Sequence, residues 1–263
     1  MIKQELINSI KNSKHVVFFT GSGISAASGI PTFRDKYDGL WEIYDPKKLA
    51  CEEAFLNDSA LVWGWYEWRR QQIEDIKPNI AHEITAKLAI HISDVTVITQ
   101  NIDDLHERGG SKNVIHLHGK VNEGICTHCK KIYLLKKFES PLPITPLRIN
   151  PPACSNCGYQ IRPNVVWFGE KLPDEPWLKA RETCRYCDLM IIIGTSGTIP
   201  PASNLPWIAF KKYTTTIQIN PEKTTFDAAI LIMKSSGRRN RYFKTFEHKF
   251  EHLSPIVKAN ISS

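Results

Sequence analysis

Four short apolar runs, each closed by a glycine or polar loop, constrain this chain more than any other feature. VVFF (Val16 to Phe19) ends in Thr20-Gly21-Ser22-Gly23, and VTVIT (Val95 to Thr99) ends in Gln100-Asn101-Ile102-Asp103-Asp104. LMIII (Leu189 to Ile193) ends in Gly194-Thr195-Ser196, and TIQI (Thr216 to Ile219) ends in Asn220-Pro221. A continuous apolar run of this length, bounded by turn signals, reads as a strand covered on both faces, which is the signature of a parallel sheet. Open parallel sheets build their ligand crevice beyond the C-terminal ends of the strands, where all four loops fall. The expected class is therefore α/β: a doubly wound parallel sheet.

Two stretches interrupt the rhythm. Residues 36–84 are rich in tryptophan and charge, with helical patterning such as ALVWGWYEWRRQQIEDI, and residues 121–163 hold two cysteine pairs around a proline-rich run. The expected organisation is one doubly wound domain made of 1–35, 85–120 and 164–263. A helical module (36–84) and a metal-binding module (121–163) are inserted into it. Residues 3–13 read as a short helix with Leu6, Ile7 and Ile10 on one side. At 263 residues and 42% hydrophobic, the chain is too apolar to be disordered. It has no run of about 18 apolar residues, the minimum for a membrane helix. Its start carries Glu5, no Arg and no continuous apolar core, so a soluble, cytoplasmic protein is expected. Lys and Arg exceed Asp and Glu by 34 − 27 = 7, enough to suit anionic ligands but too little to require nucleic acid. Much of that excess lies late, between Lys234 and Lys249, where a solvated face is the plainer reading.

Gly21, Gly23 and Ala26 form a G-x-G-x-x-A loop directly after a strand. Such a loop gives a tight turn, a close backbone approach to a pyrophosphate and close helix–strand packing. A dehydrogenase would place an acidic residue on the ribose about 20 residues on, after the second strand. This chain instead runs into Ile30-Pro31-Thr32-Phe33-Arg34 and a tryptophan-rich helix.

The seven cysteines include three C-x-x-C pairs. Cys126/Cys129 and Cys154/Cys157 offer four thiolates from two tight knuckles, which is what one tetrahedral structural Zn²⁺ needs. The 24 residues between the pairs exceed the usual spacing, and the proline run explains the longer loop. Cys184/Cys187 leads straight into an apolar strand and reads as core, while His128, inside a knuckle, reads as an exposed loop residue. Among the polar loops, Gln100, Asn101 and Asp103 offer amides and a carboxylate to a ligand. His116 and His118, in HLHG, offer an imidazole as general base. Strand alternation puts both on one face, so spacing alone does not choose between them.

GSGIS (21–25), GIPTFR (29–34), TQNID (99–103), HLHG (116–119), the four knuckle cysteines, PNVVWFGE (163–170), GTS (194–196) and IN (219–220) together resemble the sirtuins in order and spacing. These are NAD-dependent protein-lysine deacylases, and the likeness covers roughly residues 1–230. The resemblance implies a Rossmann-like domain with a smaller zinc-binding and helical lobe, and a cleft between them. It implies NAD, consumed as co-substrate, against Gly21, Ser22, Gly23, Ile24, Phe33, Arg34, Gln100, Asn101, Ile102, Asp103, Gly194, Thr195, Ser196 and Asn220. His118, before the glycine, corresponds to the catalytic base, with Asn101 and Asp103 serving the nicotinamide and ribose; His116 is expected to be non-catalytic. In this family the acyl oxygen of the substrate lysine attacks the ribose and expels nicotinamide. The base then lets a ribose hydroxyl attack the resulting alkylimidate, giving free lysine and O-acyl-ADP-ribose. Val166, Trp167, Phe168 and Gly169 correspond to the strand that pairs with the substrate peptide.

Tyr66 and Arg69 stand at i, i+3 on an expected helix and so share a face. They resemble the Y-x-x-R pair of class III sirtuins, with Ala50 as the small residue that makes room for a longer acyl chain. A phenol and an Arg fork bind a carboxylate well, so succinyl-, malonyl- or glutaryl-lysine is the expected substrate, with acetyl weaker. The plainer reading packs this helix by its tryptophans and leaves Arg69 and Arg70 in solvent. The segment Ser235 to Asn240 departs from the family's glycine-rich turn, and no adenine contact is carried over there. The alternatives weighed are a deacetylase without acidic preference, a protein mono-ADP-ribosyltransferase, an NAD-binding scaffold without activity, and a zinc-ribbon nucleic-acid binder. The last leaves the glycine loop, TQNID and HLHG unexplained.

Overall fold

The computed structural model describes residues 8–31, 49–138, 142, 148–212, 214–221, 223–227 and, for the backbone, 243–246. In chain order the first elements are β1 (His15–Thr20), a one-turn α1 (Gly23–Ala26), α2 (Glu52–Asn57), α3 (Ser59–Glu74), α4 (Ile80–Leu88) and β2 (Asp94–Thr99). Next come α5 (Leu105–Arg108), β3 (Val114–His116), β4 (Gly119–Cys126), β5 (Ile132–Leu134) and β6 (Ile161–Val165). The chain then runs through α6 (Asp174–Tyr186), β7 (Leu189–Ile193), α7 (Leu205–Lys211), β8 (Thr215–Ile219) and β9 (Phe243–Phe246). No helix among the described residues is long and apolar enough to cross a membrane.

The apolar runs become strands because each has a layer of helix to bury against on both sides. Alternation sends Val17, Phe19, Met190 and Ile192 to one face, where they pack with Ala180 and Cys184 of α6 and Leu205, Ala209 and Phe210 of α7. It sends Val16, Phe18, Leu189, Ile191 and Ile193 to the other, against Ala81, Ile84 and Leu88 of α4. Each such side chain contributes roughly 1.5–3 kcal/mol by leaving water. The strands align in the order β3-β2-β1-β7-β8-β9, and every pairing is parallel. The order reverses between β1 and β7, so the crevice of this doubly wound sheet lies beyond Thr20 and Ile193.

A second sheet, β5-β4-β6, is antiparallel. Beside it lies α3, which starts at an Asp58 cap whose carboxylate accepts from Leu61 N at 3.1 Å. Trp65, Tyr66 and Trp68 of α3 pack with Leu49, Phe55, Val121, Val165 and Trp167. Trp63 instead meets Cys126, Cys154 and Ile161 at the knuckles. Arg69 and Arg70 are both buried, which removes the reading that leaves them in solvent. Arg70 is held by Glu67, by the Lys136 carbonyl at 2.8 Å and over the Phe138 ring.

Several expected module edges fall inside elements. Residue 84 lies within α4, which packs in the core of the parallel sheet. The edges at 120/121 and 163/164 cut β4 and β6, which pair with each other. Composition marks where a segment changes character, but not which core its apolar face joins. Residues 8–11 are helical, as expected, while 1–7 lie outside the described residues.

Candidate active site

At the switch point the two glycine loops touch backbone to backbone. Gly21 N–H donates to Ile193 O at 3.0 Å, and Gly23 N–H donates to Gly194 O at 2.9 Å. A Cβ on Gly23 would stand 2.7 Å from Gly194 Cα, and one on Gly194, whose φ is +59°, 2.4 Å from Ile24 N. Only glycine fits either place. Thr195 is held by two more of the expected residues: Gln100 Nε2 donates to its Oγ1 at 2.9 Å, and Asn220 Nδ2 donates to its carbonyl at 3.0 Å. Ser196, Ser22 and Ile102 are half-buried around the same crevice.

Beneath the crevice, Ser25 organises the polar loop. Its hydroxyl accepts from Asn101 Nδ2 at 3.0 Å and donates to Asp103 Oδ2 at 3.1 Å. Burial pushes the Asp103 carboxyl up, against the Leu105 N–H and Ser25 hydroxyl that stabilise its charge. Farther in, His82 Nε2 lies 3.5 Å from Ser25 Oγ, and the His82 and His106 rings meet edge to face at 4.9 Å. Burial holds both histidines neutral, at about 4 for His82 and about 3 for His106. Sequence reasoning missed this pair. The one available signal was Asn79-x-x-His82, the box that caps α4, in which Asn79 N–H donates to His82 Nδ1 at 3.3 Å.

The two histidines of HLHG differ sharply. His116 ends β3, so strand alternation does not run on to His118. His116 is buried, with Nδ1 at 3.1 Å from Asn101 O and Nε2 at 2.8 Å from Glu107 Oε1. His118 is half-buried, and its Nδ1 lies 2.9 Å from Gln100 O. A carbonyl can only accept, so Nδ1 carries the proton and Nε2 keeps its lone pair. Burial lowers the His118 pKa, against the Gln100 contact that raises it. A neutral imidazole with a defined tautomer is the state a general base needs.

The segment after β6 joins this histidine to the helical side. Val166 N–H donates to His118 O and Phe168 N–H to Ala50 O, each at 2.9 Å. Trp167 is clamped by Glu170, which accepts its N–H at 2.8 Å, and by Arg162, stacked 3.7 Å over its ring and paired to Glu170. Its indole donates to Tyr66 Oη at 3.1 Å. Burial pushes the Tyr66 hydroxyl well above the usual phenol range, against that bond and the nearby Arg162 and Arg69 charges. Tyr66 is thus a neutral phenol whose own proton stays available to donate. Phe168 is 45% exposed, unusual for so large an apolar side chain, and Gly169, at φ +88°, has open space where a Cβ would stand. Phe33 and Arg34 lie outside the described residues, as do the late basic run's side chains and Ser235 to Asn240.

The knuckle thiols of Cys126, Cys129, Cys154 and Cys157 all lie within 4.8 Å of one another. Pairs stand at 3.4 Å (Cys126 to Cys157) and 3.5 Å (Cys129 to Cys154), close to the edge of about 3.8 Å implied by four sulfurs about 2.3 Å from one Zn²⁺. The four cysteines are positioned to hold a zinc ion. His128 stays outside this group, exposed and stacked on Tyr159. Cys184 and Cys187 are buried and take no part in it; burial pushes the Cys187 thiol up to about 12.

Residues 21–201 match the model of the Sir2 family. The chain is 47% identical over 223 residues to a protein from Methylococcus capsulatus named NAD-dependent protein deacylase, covering 85% of this chain and 88% of that one. Its structure is similar to that of a Sir2 homologue in complex with NAD (TM-score 0.82, 38% identity, 98% and 94% coverage). It is also similar to a Sir2 variant bound to a p53 peptide and NAD (TM-score 0.75, 31% identity, full coverage of both).

Proposed function

The chain belongs to the Sir2 family, the sirtuins, and from that premise we propose that it removes acidic acyl groups from protein lysines. The coarser activity, NAD-dependent deacylation of acyl-lysine proteins with NAD consumed as co-substrate, follows from the family and from relatives named for it. The finer reading assigns roles to residues. Gly21 to Ile24, Gln100 to Asp103, Gly194 to Ser196 and Asn220 hold NAD; Phe33 and Arg34 are assigned to it from the motif alone. His118 Nε2 takes a proton from the ribose, and Asn101 and Asp103, oriented through Ser25, hold the nicotinamide and ribose end. The backbone of Val166 to Gly169 pairs with the peptide. Zinc, held by the four cysteines, braces the small lobe.

The observation that carries the acyl preference is that Tyr66 and Arg69 are both buried, with the Arg69 charge acting on the Tyr66 hydroxyl, while Tyr66 packs in one cluster with Ala50 and Trp167. A guanidinium withdrawn from water favours an anionic ligand, and a neutral phenol beside it can donate to the same carboxylate. The test is mass spectrometry of succinyl-, glutaryl- and acetyl-lysine versions of one peptide, with and without NAD. Faster loss of the acidic acyl groups supports the reading. Arg69→Met should then cost succinyl-lysine far more than acetyl-lysine, and equal losses would remove Arg69 from acyl selection.

A further inference from the structure

The proton inventory of the polar loop does not close if His116 is a neutral imidazole. A neutral ring has one donor nitrogen and one acceptor nitrogen, yet both partners of His116 accept. One is the Asn101 carbonyl; the other is Glu107 Oε1, which also accepts from Lys120 Nζ at 3.1 Å. A carboxyl paired to Lys120 is ionised at neutral pH whatever His116 carries, so Glu107 has no proton to give. Its other oxygen, Oε2, is buried with no partner among the described residues, so the carboxylate depends on nearby cations for compensation. The other titratable neighbours are Asp103, whose carboxyl burial pushes up and a charge on His116 would pull down, and the ring of His106, which burial keeps neutral and a charge on His116 would keep neutral further.

We propose that His116 is a positioning residue carried with a proton on both ring nitrogens. In that form it clamps the Asn101 carbonyl to Glu107 and fixes the loop that presents Asn101 and Asp103. The next carbonyl back, Gln100 O, is the one that sets the tautomer of His118, so the clamp also steadies the base. His116 itself touches no reacting atom. Its kinetic consequences rest on the assignment of His118 and Asn101 above; its protonation state does not.

The decisive measurement is a long-range proton–nitrogen NMR spectrum of the full chain with labelled histidine, His116 being assigned by its loss in His116→Asn. The expected result is two protonated ring nitrogens on His116 at neutral pH, collapsing to a single tautomer in Glu107→Gln. A singly protonated His116 in the parent protein would overturn the proposal. Steady-state kinetics supply the second readout. Glu107→Gln and His116→Asn should each lower kcat by about tenfold or more, as loosened alignment does. The double variant should lose little beyond either, because the two act as one unit. Additive losses would also overturn the clamp. A parent without deacylase turnover would instead refute the functional reading, and the spectrum would still read the proton count.

Discussion

The zinc knuckles and the cleft at the sheet's switch point are built on opposite plans. The four knuckle thiols come from residues 126–157, two from each tight loop, and they crowd within 4.8 Å of one another. As thiolates they repel, so their arrangement depends on the metal that neutralises them. The cleft gathers groups from Gly21 to Asn220, and they hold one another: Asn101 on Ser25, Ser25 on Asp103, Gln100 on Thr195, His118 on Gln100. The knuckle thiolates need a metal to offset their charge, whereas the cleft's polar groups pair with one another. Losing a group should therefore cost structure in the knuckles and chemistry in the cleft.

The largest expected effect breaks that comparison most directly. Cys154→Ser, or stripping with a strong chelator, should remove zinc, whose binding to such sites amounts to roughly 10–16 kcal/mol of folding free energy. Trp63 packs on Cys126 and Cys154, so its fluorescence should shift as the lobe loosens, and deacylation should stop. Zinc content, fluorescence and activity should fall together. His118→Ala should instead reduce turnover by about 10²–10⁴-fold, the usual worth of a positioned base, and melt like the parent. His116→Ala should cost much less turnover than His118→Ala. Unfolding of His118→Ala, or full activity in the stripped protein, would reverse the assignment of the two plans.

The same contrast explains what could be read from the sequence. The knuckles are local, so two C-x-x-C pairs located the metal site once the apolar strand after Cys187 marked the third pair as core. The strands were legible because period-two burial on both faces leaves continuous apolar runs. The glycines at 21, 23 and 194 marked the crevice because only a residue without a side chain allows that backbone approach. What stayed hidden was made by long-range closure. Nothing near Ser25 indicates Asp103 or Asn101, and nothing near Glu107 indicates His116, because sheet order and not spacing joins them. The His82–His106 pair and the Arg162–Glu170 clamp on Trp167 were missed for the same reason. The expected module edges at 84, 120/121 and 163/164 fall inside elements because a helix or strand can serve a core distant in sequence, as α4 does.

A middle-sized effect sharpens the cleft's side. His82 and His106 stay neutral in the fold, at about 4 and about 3, below the ordinary 6.5. Between pH 6.5 and 4 the unfolded chain therefore takes up protons that the folded chain refuses, and stability falls as pH falls through that window. For His82 alone this amounts to about 3 kcal/mol at pH 4. Glu107, held at about 2 against an ordinary 4.5, adds stability that is present above pH 4.5 and lost as pH falls towards 2. Urea unfolding of the zinc-loaded protein across pH 7 to 4 should show this slope. His82→Gln, whose amide can still serve the α4 cap, should flatten it. An unchanged slope would mean the histidine takes up its proton within the fold.

The smallest effect concerns the knuckles. Tyr133 Oη lies 3.0 Å from Cys154 Sγ and 3.2 Å from Ser155 Oγ, and Asn156 N–H donates to the same sulfur at 3.4 Å. Four thiolates around one Zn²⁺ leave an excess of negative charge, and each donor aimed at a sulfur disperses part of it. If the metal assembles this site, the phenol only trims it. Tyr133→Phe keeps the ring beneath Lys131 and deletes one hydrogen bond, worth about 0.5–1.5 kcal/mol. The expected outcome is zinc release to a chelator several-fold faster, with the unchallenged deacylation rate unaltered. A loss as large as that of Cys154→Ser would mean that the knuckle, like the cleft, is held by its own hydrogen bonds.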